Sequence, residues 1–223
     1  MEAEALLADW FGPLDPQGFP SAPRGRFWFG SDTQRDRRLA RDYGGLVAAA
    51  AGGALADWAA TPRGRLALIL LCDQLPRNLY RATPRAFALD PYARRHCLAG
   101  LDQGHDLSLA WVERAFFYLP LEHSERLRDQ VRSLRLHRRQ YGVALERAGI
   151  DNTHRADSDA RRRLGKGFLD SAREHYRIIE RFGRFPHRNA LLGRPSTPAE
   201  AHYLERSGRH FGQQPAATSE DAR

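Results

Sequence analysis

Apolar residues recur every three to four positions along most of this chain, and proline, glycine and short capping side chains punctuate the runs. Leu6, Leu7, Trp10 and Phe11 share a helical face, and Gly12-Pro13 ends that helix by turning the chain and removing a donor. A loop rich in proline and glycine follows. It opens onto Phe27-Trp28-Phe29, a cluster apolar enough to be expected as an anchor in the core. Ser31 or Asp32 can cap a helix running to about Ala51 through Leu39, Tyr43, Leu46 and Val47, stopped by Gly52-Gly53. Leu55 and Trp58 are expected on a short continuation. Thr61-Pro62, Thr83-Pro84 and Asp90-Pro91 each set a capping side chain before a proline, predicting three more helix starts. Pro76 should kink or break the helix that carries the apolar block Leu66 to Leu71.

Leu109 to Tyr118 predicts a buried helix closed by Pro120. Ser124 caps a long helix toward Ala148, with Leu127, Val131, Leu134, Tyr141 and Leu145 inward and Gly149 beyond its end. Asp157 or Ser158 starts another, in which Leu164, Phe168, Ala172, His175, Ile179 and Phe182 keep helical spacing up to Gly183. Thr197-Pro198-Ala199-Glu200 is a capping box that opens a last helix. No segment alternates with period two. The fold class is therefore all-α, a single domain over residues 1–211 with a polar, disordered tail at 212–223.

At 223 residues and 42% hydrophobic content the chain can fill one core. The net charge of +8 would favour an acidic partner. Lys166 is the lone lysine, however, and the wealth of Arg, Ala, Gly and Pro is what GC-rich codons write, which discounts the charge. Arg128, Arg132, Arg135 and Arg139 form a stripe without interleaved aromatics, expected as a solvated face. Cys72 and Cys97 have neither metal nor redox spacing, no H-E-x-x-H is present, and no motif names a cofactor. No signal peptide or membrane-length apolar run appears, so a cytoplasmic protein with no membrane contact is expected.

Three stretches concentrate chemistry. Asp73, Arg77 and Arg81 lie four apart with Gln74 and Asn78 alongside, a set that could hold a carboxylate or phosphate. The same residues could instead satisfy carbonyls freed by Pro76. His123, Ser124 and Glu125 open the long helix, where His123 could transfer a proton with Glu125 orienting it. The plain alternative is that Ser124 caps the helix while Glu122 and Glu125 complement its dipole. Finally, Arg181, Arg184, His187, Arg188 and Asn189 lie on or beside the turn between Gly183 and Pro186, disposed as a cationic pocket or as caps for neighbouring helices.

Leu66 to Leu71, Asp73-Gln74-Leu75-Pro76-Arg77-Asn78, Phe117-Tyr118-Leu119-Pro120, His123-Ser124-Glu125, Arg181 to Asn189 and Leu192-Gly193-Arg194 resemble the hallmark segments of the bacterial domain-of-unknown-function family number 924. The resemblance runs from about Trp10 to Phe211 and departs from the family pattern between Asp151 and Arg163. It implies a tetratricopeptide-like right-handed superhelix of stacked antiparallel helix pairs, and no activity. The expected function is binding, and conversion in the case of an enzyme, of a small anionic metabolite. His123 or His187 would move the proton, and Arg77, Arg184 and Arg188 would hold the charge. The alternatives are a peptide-binding interaction module and RNA binding along the basic stripe.

Overall fold

A computed structural model describes residues 2–150, 155–208, 211 and 213. Among these the chain is built from α1 (Glu2–Phe11), α2 (Gly25–Phe29), α3 (Thr33–Ala51), α4 (Pro62–Ile69), α5 (Leu75–Leu79), α6 (Asp90–Asp102), α7 (Trp111–Glu122), α8 (Leu127–Ile150), α9 (Arg155–Phe182) and α10 (Pro198–Ser207). The described residues contain no strand, only an isolated bridge between Leu14 and Pro20. None of their helices is long and apolar enough to cross a membrane.

Local signals set several boundaries. Asp32 accepts the Arg35 N–H at 2.9 Å and Thr61 accepts the Gly64 N–H at 3.1 Å. Thr197 and Glu200 exchange the reciprocal bonds of a capping box. Gly183 ends α9 with φ near +69°, a conformation that a β-carbon disfavours.

Several expectations are corrected. Pro76 does not break its helix: residues Leu70–Gln74 widen into a π turn, and α5 continues through the proline. Thr83-Pro84 opens only a 3-10 turn, Pro84–Phe87. Pro120 does not close α7 but lies in its last turn, where one lost donor is tolerated. The helix begun after Ser124 runs past Gly149 to Ile150. Phe29, expected in the core, is 55% exposed.

Leu127 and Leu145 of α8 face water rather than inward. The buried side of that helix is mostly polar, formed by Asp129, Gln130, Ser133, His137 and Gln140 with Ala144. Gln130 explains part of this, since its amide donates to the free carbonyls of Glu122 and Ser124 at 2.6 and 2.7 Å and so closes the end of α7. Gln140 and Trp111 trade two side-chain-to-backbone bonds at 3.0 and 2.8 Å.

Phe116 of α7 is the hub of the core. It meets Phe11, Trp28 and Phe168 edge-on at 5.3, 5.0 and 5.7 Å. α8 lies antiparallel to both α7 and α9, with His137 stacked on Phe168 at 6.0 Å. Gly165 makes the α8–α9 approach possible, because a β-carbon there would sit 2.9 Å from the Ala144 methyl. Ile178, Ile179 and Phe185 form a smaller cluster with Phe182, Tyr203 and Phe211. Between it and the main core lies the site.

Candidate functional site

The π turn before Pro76 carries Asp73 into the interior, where it is fully buried. Its carboxylate meets His123 Nδ1 at 2.7 Å and Arg77 Nη1 at 3.2 Å, and accepts from the Gln74 amide. Burial would push Asp73 up, but Arg77 and His123 outweigh it and hold the group well below the usual carboxylate range. Burial, reinforced by Arg77, lowers the His123 pKa despite its acidic neighbour. The pair is thus a carboxylate beside a neutral imidazole that donates from Nδ1, leaving Nε2 as a base.

Asp90 joins two of the predicted stretches. It accepts from Arg77 at 2.9 and 3.1 Å and from Arg188 at 3.1 Å. Arg188 also donates to the His123 carbonyl at 3.0 Å and is sandwiched between Phe87 and Phe185, at 4.6 and 4.5 Å. Its Nε has no partner among the described residues. Arg77 further donates to the Asp73 carbonyl at 2.6 Å, so the satisfying of carbonyls near Pro76 and the cationic cluster coexist in one side chain. Arg81 pairs with Asp36 at 2.9 Å, and Asp36 also holds Arg35.

On the opposite wall Glu122 accepts from Ser171 at 2.7 Å and lies 3.2 Å from His175 Nδ1 and 3.4 Å from His137 Nε2. Burial raises its pKa to about 8, so it is a neutral acid at physiological pH. Burial likewise lowers His137 and His175 to about 3.

Both walls line a cavity of about 500 Å³. Of the predicted residues, Gln74, Arg77, Asn78, Arg81, His123, His187 and Arg188 line it, and Asp73 supports it from behind. The others are elsewhere. Glu125 does not orient His123, because Asp73 takes that place; Glu125 instead clamps Arg194 at 2.7 and 2.9 Å and the Phe185 N–H at 2.8 Å. Ser124 donates to Asp129 at 2.7 Å and accepts from the Arg126 N–H at 3.3 Å. Arg184 forks onto Glu200 at 2.6 and 2.8 Å, tying the turn to α10. Asn189 is buried against Ser196 and Arg194, and Arg181 lies by a separate surface depression with Phe182 and Tyr203.

Asp90, Glu122, Ser171 and His175 were not singled out for the site, nor were Phe29 and Phe168. A histidine in the apolar row of α9 was the available signal for His175. Gln213 is also part of the wall, donating to the Arg77 carbonyl at 3.2 Å and accepting from the Ala82 N–H at 3.1 Å. The rest of the predicted tail, at 212 and 214–223, lies outside the described residues. Among the described residues no group of three or more His, Cys, Asp or Glu side chains is arranged to hold a metal.

Fold and site together define an all-helical protein in which parts of three charge-dense stretches line one cavity. The sequence profile of the family described as bacterial protein of unknown function, DUF924, matches residues 6–208. The chain belongs to this family. A solved structure of a protein of unknown function from Agrobacterium tumefaciens is 33% identical, with a TM-score of 0.71 over 92% of this chain and 98% of that one. No curated protein matches.

Proposed function

We propose that this protein binds a small anionic metabolite in the cavity and exchanges a proton with it through His123. The observation that carries the reading is the meeting of Arg77, Arg188 and the Asp73–His123 pair at one wall. An imidazole fixed by a buried carboxylate is the arrangement a general base needs, since one tautomer is held and the second nitrogen left free. Guanidinium groups beside it complement a carboxylate or phosphate. The cavity's size is that of a metabolite site.

The tetratricopeptide-like architecture belongs to the same reading, supported by α7, α8 and α9 packing in chain order as antiparallel neighbours. A peptide-binding module has less support, because the polar groups line a pocket rather than an open groove. The stripe of Arg128, Arg132, Arg135 and Arg139 is read as a solvated face rather than an RNA track: Arg132 makes only a loose pair with Asp102 at 3.5 Å. Cys72 and Cys97, both buried and unbridged, fit the reducing cytoplasm.

Thermal shift against carboxylates and phosphates tests the reading. At a hundredfold excess over Kd an anion should add about 2.7 kcal/mol and raise Tm by about 5–10 °C. Arg81→Gln should weaken binding about tenfold or more, the worth of a charge-assisted hydrogen bond. His123→Gln should still bind but transfer no proton. If no anion moves the wild-type Tm, the reading fails.

A further inference from the structure

The cavity changes character along its length. α9 lines it with Leu164, Gly167, Phe168, Ser171 and His175, which share one side of the helix, and with Arg163, an exposed residue next to Leu164. At a rise of about 1.5 Å per residue, Leu164 and His175 are about 16 Å apart, and the lining passes from apolar to polar between them. At the apolar end Phe29 meets Phe168 edge-on at 5.9 Å and lies parallel to Phe116 at 5.9 Å, yet stays 55% exposed. An aromatic ring left half in water beside a cavity is surface that a bound apolar group would cover.

The polar end has a defined charge. Two ion-paired clusters meet there: among the described residues Arg77 and Arg188 balance Asp73 and Asp90, while Arg35 and Arg81 share Asp36 and leave one positive charge in excess on the Arg81 side. Glu122 is neutral there, and His123 is a neutral imidazole. The net charge suits a single negative charge better than two.

We infer that the ligand is an amphipathic monoanion, a carboxylate held near Arg81, Arg77 and His123 whose acyl or aryl tail lies against Phe29, Leu164 and Phe168. The inference rests on the reading of the cavity as an anion site and adds the tail to it.

Gly167 provides the test. It lines the cavity, and a β-carbon built on it meets no atom within 4 Å. Helix interiors favour leucine over glycine, so Gly167→Leu should fold as well as the wild type while filling the apolar end. Calorimetric titration would use octanoate, phenylacetate and acetate at fixed ionic strength. Octanoate and phenylacetate are expected to bind the wild type at least tenfold more tightly than acetate. In Gly167→Leu that advantage should be lost while acetate binding is unchanged. Acetate binding as tightly as octanoate, or octanoate indifferent to Gly167→Leu, overturns the tail and leaves the anion site standing. If none of the three binds the wild type but inorganic phosphate does, the amphipathic carboxylate is overturned and the anion site stands; if phosphate fails as well, the anion site falls with it.

Discussion

Asp73→Ala is expected to cost about 3–5 kcal/mol of stability, the penalty for removing one partner of a buried charge network. For a domain of this size that lowers Tm by on the order of 10 °C. Asp73 is fully buried and serves Arg77, His123 and the Gln74 amide at once. Without it Arg77 keeps Asp90 but loses half its compensation at a largely buried position. His123 also loses the bond that fixes its tautomer. Asp73→Asn, which keeps the shape and drops the charge, should fall between wild type and Asp73→Ala. Urea unfolding measures all three, and an Asp73→Ala protein within about 1 kcal/mol of the wild type would refute the network's role.

Glu122→Gln should remove the alkaline limb of the stability profile. The folded-state pKa of Glu122 is raised from the ordinary 4.5 to about 8, so the native protein keeps a proton that the unfolded chain releases. That contribution is complete below pH 4.5 and is lost as pH rises toward 8, at about 1.4 kcal/mol per pH unit. His137 and His175 act with the opposite sign. Their folded pKa values fall from 6.5 to about 3, so stability is lost as pH drops below 6.5. These two histidines, with His123 lowered by burial beside them, outweigh one carboxyl on the acid side, which places the wild-type maximum near neutral pH. In Glu122→Gln the curve should stay level from there to pH 8, with the acid limb retained. Urea midpoints between pH 5 and 8.5 decide it; superimposable curves would mean Glu122 is ionised in the folded protein.

The parts of this fold that were legible are those in which a side chain answers its own backbone. Asp32, Thr61 and the Thr197–Glu200 box act within three residues, so their roles can be read from spacing alone. The polar face of α8 was not legible. Gln130, Ser133, His137 and Gln140 are polar in every window, and only the carbonyl end of α7 and the edge of Trp111 give the glutamines a reason to be inside.

The site divides along the same line. Charge-dense strings led to Arg77, His123 and Arg188, yet neighbours within those strings point elsewhere, because successive helical residues are turned by about 100° and Gly183 redirects the chain. Arg184 and Asn189 thus serve α10 and its approach, while His187 and Arg188 face the cavity. Glu122 stood in a recognised string as a dipole partner, and its burial follows only from α8 and α9 closing over it. Asp90 looked like one more helix start before proline; its bonds to Arg77 and Arg188 depend on contacts distant in sequence.

The central claim is that an anion sits beside His123, and NMR titration of the His123 ring tests it most directly, with His123→Gln assigning the signal. Octanoate and inorganic phosphate would be added in turn across pH 5 to 8. A nearby negative charge favours the protonated imidazole, so saturating anion should shift the His123 resonance and raise its pKa. A His123 signal that neither anion moves at any pH in that range would contradict the account.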